Sequence, residues 1–197
     1  MRAIRPMLAL ALTLSLASAA LAVPTVGRPM PRFVVDDIAG NRHTERDLRG
    51  QWTVAMVMTD KDVADDFRAW FQRLHPALPP AVRLYSFVAV NIFPLVPTAT
   101  LISQARGSSP RERWNTVWLS RDGSFAQALG YPEEEIPWIL VIDPQGHVAL
   151  SLHERVSDAG VNRILATVPT EPPAPPAPAE PPPPSAPAPS APAPANP

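Results

Sequence analysis

The feature that most constrains the fold is an apolar strand that leads through a short polar turn into an amphipathic helix. Residues 53–58 (TVAMVM) are almost continuously apolar, which is typical of a strand buried on both faces in the middle of a parallel sheet. Residues 59–62 (TDKD) form the turn. The helix after the turn carries one apolar stripe at helical spacing, made of Val63, Phe67, Trp70, Phe71 and Leu74. This pattern predicts an α/β domain organised around the strand at 53–58.

A second strand pattern completes a βαβ unit. Pro76 is expected to end the helix just before it, and residues 82–90 (VRLYSFVAV) predict a strand parallel to the first. The other predicted elements are a strand at 33–35, a helical turn at 44–50, a helix at 99–106, a strand at 116–119, a helix at 124–129 ended by Gly130, a strand at 138–143 paired with one at 147–153, and a helix at 159–168 capped by Ser157-Asp158. This order predicts a central mixed sheet flanked by helices.

The two ends of the chain differ in composition from the middle. Residues 1–22 have a basic start, a short apolar run and small residues before position 23, which predicts a cleaved secretory signal. An uncleaved anchor is the alternative, but the run is shorter than the ~20 apolar residues that a membrane span needs. Fourteen of the residues 171–197 are proline and most of the others are alanine. We therefore expect one domain at 23–168 and a disordered tail at 169–197, which is either inert or a spacer or docking segment.

The chain has no cysteine and a formal net charge of −1. Disulfides, thiol catalysis, thiolate metal ligands and lipid anchoring through a cysteine are all excluded, because each requires the sulfur atom. The sequence shows no basic stripe, which argues against nucleic acid as a partner. A domain without disulfides must be held together by its apolar core.

Two segments resemble known families. The spacing G-x3-P-x-F, D-x2-G and L-x-G-x-W within residues 27–52 resembles the opening of the thiol-specific antioxidant (peroxiredoxin) and extracytoplasmic thioredoxin-like families. Residues 136–146 (IPWILVIDPQG) are similar to the segment that carries a cis-proline in those families. The match spans residues 26–168. It implies a thioredoxin-like fold for nearly the whole domain.

The resemblance also implies where an active site would lie, and the sequence departs from it there. Pro137 matches the cis-proline. Thr59 and Asp62 match the Thr-x-x-Cys of peroxiredoxins, with Asp62 in place of the reactive cysteine, and Asp62 and Asp65 lie where thioredoxins carry Cys-x-x-Cys. A carboxylate lacks the nucleophilicity and redox chemistry of a thiolate at a helix start. Peroxidase and disulfide oxidoreductase activities are therefore expected to be absent, and these positions are interpreted as a degenerate active site.

Several acidic residues surround this turn. The first interpretation is that Asp60 caps the helix and that Asp62, Asp65 and Asp66 favour its first turn. The alternative is an oxygen-ligated cation site, since the fold would bring Glu133, Glu134 and Glu135 opposite the helix start. Its candidate ligands are Asp60, Asp62, Asp65 and Glu134. Capping is the simpler interpretation, and no metal or other cofactor is expected.

The functional hypothesis is a non-catalytic, exported binding or scaffolding module, located in the periplasm. Its candidate groove is formed by Asp60, Asp62, Ile136 and Pro137, where thioredoxin-like proteins take an extended peptide. The expected partner is an exported or envelope protein or peptide; nucleic acid is not expected, nor is a membrane span after signal removal. The alternatives are a carboxylate-based metal-binding protein or enzyme, and a spacer whose function lies in the tail.

Overall fold

A computed structural model describes residues 23–92 and 97–170 of the chain. The predicted signal at 1–22 and the tail from 171 onward lie outside the described residues. Within the described part the strands are β1 (Val34–Asp37), β2 (Arg42–Thr44), β3 (Thr53–Met58), β4 (Arg83–Ala89), β5 (Val117–Ser120), β6 (Trp138–Ile142) and β7 (Val148–His153). The helices are α1 (Ala64–Ala77), α2 (Thr98–Ser108), α3 (Ser124–Leu129) and α4 (Asp158–Thr167). Short 3-10 helices lie at Glu45–Leu48, Lys61–Val63 and Arg111–Thr116.

The strands form one mixed sheet in the order β2-β1-β5-β4-β3-β6-β7. β3 and β4 are parallel, as are β4 and β5, while β6 runs antiparallel to both β3 and β7. β3 is therefore an inner strand, which explains why its residues are apolar without alternation. The predicted mixed sheet flanked by helices is confirmed, and the predicted bounds of the strand at 53–58 and the helix at 124–129 are those of β3 and α3.

The sheet separates two apolar layers, because alternate residues of each strand face opposite sides. On one face Phe87 stacks on Trp118, with ring centroids 4.9 Å apart, and both pack against Phe125 of α3. On the other face α1 and α4 cover β3 and β6, and Trp70 and Ile164 are fully buried there. The polar turn after β3 lies at the carboxyl ends of the parallel strands β3 and β4.

Helix α1 follows the predicted apolar stripe but does not end where the sequence suggested. Trp70 and Leu74 are fully buried, and the Trp70 indole Nε1 donates to the carbonyl of Glu154 at 3.0 Å. The prediction that Pro76 ends the helix is wrong, because Pro76 lies inside the last turn. Proline removes the hydrogen bond to the carbonyl four residues back, which belongs to Gln72. Gln72 is exposed, so water can replace that hydrogen bond.

The Ile136–Pro137 peptide bond is trans; the described residues contain no cis peptide bond. The cis-proline carried over from the resemblance is therefore wrong. Trans is the intrinsically favoured form of an X–Pro bond, and nothing in the residues at this position favoured cis apart from the family likeness. Pro137 is buried and leads directly into β6.

None of the described helices is long and apolar enough to cross a membrane.

Candidate functional site

The polar turn after β3 is built by local capping. Asp60 Oδ1 accepts a hydrogen bond from the backbone N–H of Asp62 at 2.7 Å, which confirms Asp60 as a helix cap. The chain first makes the 3-10 turn Lys61–Val63 and continues as α1. Lys61 Nζ donates to Asp62 Oδ1 at 2.8 Å. This hydrogen bond and the negative charges of Asp62, Asp60 and Glu133 raise the pKa of the Lys61 ammonium.

The loop before β6 is attached to this turn through Thr59. The backbone N–H of Glu134 donates to Thr59 Oγ1 at 3.1 Å, and Thr59 is buried. Ile136 is half-buried and Pro137 is buried. The loop therefore lies against the turn at Thr59, and its proline does not form an open rim there.

A groove of about 590 Å³ lies beside this attachment. We call it the turn groove. Its residues are Thr59, Asp60, Lys61, Val90, Asn91, Ile92 and Glu133. Lys61 and Glu133 are exposed and lie on its rim, so the groove offers both a cation and a carboxylate to a ligand. Of the four groove residues named from the sequence, Asp60 lines the turn groove, whereas Asp62, Ile136 and Pro137 do not.

Sequence reasoning missed the wall of the groove contributed by Val90, Asn91 and Ile92. These residues directly follow β4, and the carboxyl ends of parallel strands meet at one edge of a sheet. Since 53–58 and 82–90 were predicted to be parallel strands, the same rule applied to the sequence would have placed the residues that follow each of them close together. The parallel arrangement of these two strands was the sequence signal that could have identified this wall of the groove. The resemblance to thioredoxin-like families pointed instead to the loop at 136–137.

The acidic residues around the turn are held by separate partners. Asp62 pairs with Lys61, Asp65 Oδ1 accepts from Arg68 Nη1 at 2.8 Å, and Asp66 pairs with Arg155 at 3.3 Å. In residues 23–92 and 97–170 no group of three or more histidine, cysteine, aspartate or glutamate side chains is arranged to hold a metal ion. Capping and ion pairing thus account for Asp60, Asp62, Asp65 and Asp66.

The fold of this chain is similar to that of several solved proteins. No protein-family model and no curated protein matches the chain. Solved structures do match. A thiol peroxidase from Chromobacterium violaceum aligns with a TM-score of 0.53 at 15% identity, over 74% of this chain and 87% of that one. A protein from Chlorobium tepidum described as the thiol:disulfide interchange protein DsbE aligns with a TM-score of 0.54 at 16% identity, over 73% of this chain and 95% of that one.

A third similar structure is BsSco, a member of the Sco family of cytochrome c oxidase assembly proteins. It aligns with a TM-score of 0.51 at 12% identity, over 74% of this chain and 96% of that one. At these identities the likeness concerns the fold alone. The predicted relationship is confirmed at that level: the chain has the thioredoxin-like fold and contains no cysteine.

Proposed function

We propose that this protein is a non-catalytic binding module that uses the turn groove to hold an extended segment of a partner protein. The observation that carries the proposal is the groove itself, at the carboxyl ends of β3 and β4 on the edge where β3 passes into α1. Ligands of open α/β sheets bind at the carboxyl ends of the strands. The absence of cysteine removes thiol chemistry and leaves the groove.

The chemistry of the groove favours a peptide over a small apolar ligand. Lys61 and Glu133 place opposite charges on its rim, and Asn91 adds a side-chain amide. Such a lining matches the alternating donors and acceptors of an extended backbone, together with one charged side chain of either sign. The resemblance to thioredoxin-like families at Ile136–Pro137 supports the proposal indirectly. The loop that contains these two residues is attached to the turn by the hydrogen bond from the Glu134 N–H to Thr59 Oγ1.

The proposed location is outside the cytoplasm, with an exported or envelope protein as the partner. The signal-like composition of residues 1–22 supports export. The carboxylate-based alternative is not proposed, because Asp62, Asp65 and Asp66 each have a basic partner.

Site-specific photocrosslinking in the source cells tests the proposal. A photoreactive phenylalanine derivative replaces Lys61 in one variant and Glu133 in a second. The control carries the same group at Asn162, an exposed residue of α4 that does not line the groove. We expect the two groove variants to crosslink the same protein and the control to leave it uncrosslinked. No product from the groove, or identical products from all three positions, would contradict a binding role for the turn groove.

A further inference from the structure

A second cleft lies on the sheet face covered by α1. We call it the helix cleft. It has a volume of about 520 Å³, and it lies between α1 and the segment formed by α2 and the 3-10 helix Arg111–Thr116. Val88, Val117 and Leu119 contribute its floor from β4 and β5. The described residues that line the helix cleft and those that line the turn groove are different.

The cleft exists because α2 covers β4 and β5 without packing closely on them. No residue of α2 is buried. The helix is attached at its carboxyl-terminal end by polar and cation–π contacts: Arg106 Nε donates to the carbonyl of Ile38 at 2.6 Å, and the Arg106 guanidinium lies 4.9 Å from the centre of the Trp114 ring. The Trp114 indole Nε1 also donates to the carbonyl of Ser109 at 3.0 Å. A helix positioned by its end in this way leaves open space above the apolar floor.

Arg113 is the cation of this cleft. Its guanidinium carbon lies 3.8 Å from the centre of the Phe71 ring, and the residue is half-buried. Burial lowers the pKa of the guanidinium. Among the described residues Arg113 forms no ion pair with a carboxylate. A partly desolvated charge is costly unless it is paired, so the unpaired guanidinium points to an anion supplied from outside the chain.

The other ionisable side chains that line the helix cleft are also basic. Two arginines and a histidine line the cleft, namely Arg68, Arg113 and His75, together with three serines. No aspartate or glutamate is among the described residues that line it. Phe67 and Phe71 form an apolar wall beside these polar groups. Arg68 is paired with Asp65 outside the cleft lining. A site with apolar walls, the guanidinium of Arg113 and no acid among its described lining residues complements a molecule with an apolar body and one negative end.

We propose that the helix cleft binds a small amphipathic carboxylate, such as a medium-chain fatty acid, with its chain over Val88 and Leu119 and its carboxylate on Arg113. The volume lies within the range of about 300–1,000 Å³ that is usual for small-molecule sites. Arginine presents paired N–H donors that match the two oxygens of a carboxylate. This inference is independent of the proposed binding role of the turn groove.

Calorimetric titration of the full chain with decanoate and with decylammonium tests the inference. The two probes share the alkyl chain and differ in the sign of their charge. We expect decanoate to bind about tenfold or more tightly than decylammonium, since a charge-assisted hydrogen bond of ~1.5–3 kcal/mol corresponds to that factor. Failure of decanoate to bind, or equal binding of the two probes, overturns the proposal.

Variants locate the binding. Arg113→Gln removes the charge and should weaken decanoate about tenfold or more. Arg113→Lys keeps the charge but loses the paired donors, so it should weaken decanoate less than Arg113→Gln does. The matched control is Arg111→Gln, an exposed neighbour that stacks on Trp114 outside the cleft and should not change the affinity. Ala105→Trp fills the cleft from the half-buried side of α2 and should abolish binding. Equal losses in Arg113→Gln and Arg111→Gln, or full affinity in a folded Ala105→Trp, contradict a site at the helix cleft.

Discussion

The Thr59 hydroxyl accepts a hydrogen bond from the backbone N–H of Glu134, a residue 75 positions further along the chain, at 3.1 Å. This bond joins the turn after β3 to the loop before β6. In a thioredoxin-like fold with no cysteine, the turn and the loop are therefore held together by a hydroxyl group and a backbone amide. Glu133, next to the donor, lines the turn groove together with Lys61.

The first prediction concerns this bond. Thr59→Val keeps the shape of the buried side chain but leaves the Glu134 N–H without its acceptor, which should lower the free energy of unfolding by about 1–2 kcal/mol. The amide of Glu134 should also exchange faster with solvent. Urea unfolding and hydrogen exchange measure the two effects. Thr98→Val at the exposed start of α2 is the matched control, with an expected change within about 0.5 kcal/mol. Equal effects of the two substitutions would show that the hydroxyl does not hold the loop.

The second prediction uses two helical glycines that differ only in their surroundings. A Cβ added to Gly160 in α4 would lie 2.7 Å from Trp70 Cη2 and 2.5 Å from Glu154 Oε1, and the Trp70 ring is fully buried. Gly160→Ala should therefore destabilise the protein by about 1–3 kcal/mol. A Cβ on Gly107 in α2 would meet nothing within 4 Å, so Gly107→Ala should stabilise by up to about 1 kcal/mol.

Thermal or urea unfolding should show that Gly160→Ala lowers the free energy of unfolding and that Gly107→Ala raises it. If Gly160→Ala were as stabilising as Gly107→Ala, the close packing of α4 on Trp70 would be refuted.

The third prediction is a pH dependence of stability that comes from Asp37. This carboxylate is 2% exposed. Burial raises its pKa, but hydrogen bonds from the His43 ring, the Asn41 side chain and backbone, and the Gly40 N–H outweigh burial and hold the pKa below its usual range. A lowered pKa means that the stabilisation is present above about pH 4 and is lost as the pH falls through the folded-state pKa.

Asp37→Asn should therefore be less stable than the unmodified protein at pH 6, and the difference should shrink as the pH falls towards 2.5. Urea midpoints across this range measure it. Asp65→Asn, which changes an exposed carboxylate paired with Arg68, serves as the control and should show a small difference throughout. A constant difference for Asp37→Asn would contradict the role of its charge.

The fourth prediction tests whether the turn has kept the electrostatics of a reactive-thiol site. Asp62→Cys places a thiol in the first turn before α1, next to Lys61. A helix start and a nearby ammonium lower a thiol pKa. The thiol should therefore react with iodoacetamide at pH 7 several-fold faster than one in Asn162→Cys, an exposed position within α4. Equal rates would show that the helix start and Lys61 do not lower the pKa of a thiol at this position.

Much of the fold followed from the sequence because the inner strands β3 and β6 are almost continuously apolar. The bounds of β3 were predicted from TVAMVM alone. The cap of α4 was predicted at Ser157-Asp158; the Ser157 side chain accepts from the Gly160 N–H, and Asp158 is the first residue of the helix. β2 was not predicted, because Arg42–Thr44 is polar and becomes a strand only through pairing with β1. The 3-10 helix Arg111–Thr116 was missed for a similar reason, since it depends on tertiary contacts around Trp114.

The candidate site was predicted less well than the fold. Asp60 and Thr59 were placed correctly at the turn, because capping is a local property. Val90, Asn91 and Ile92 of the turn groove were not named from the sequence, and Ile136 and Pro137, which were named for a peptide groove, do not line the turn groove. The helix cleft had no local signal, because it depends on how far α2 lies from the sheet. That distance is set by the contacts of Arg106 and Trp114.

The proposal that the turn groove holds an extended segment of a partner is tested most directly by locating a bound peptide on the protein. A synthetic peptide covering the crosslinked segment of the captured partner is titrated into the isotopically labelled protein, and amide shifts are followed by NMR. If the turn groove holds the peptide, the largest shifts should lie at residues 59–62, 90–92 and 133. Shifts concentrated elsewhere, or no shifts at millimolar peptide, would contradict the claim that the turn groove is the binding site.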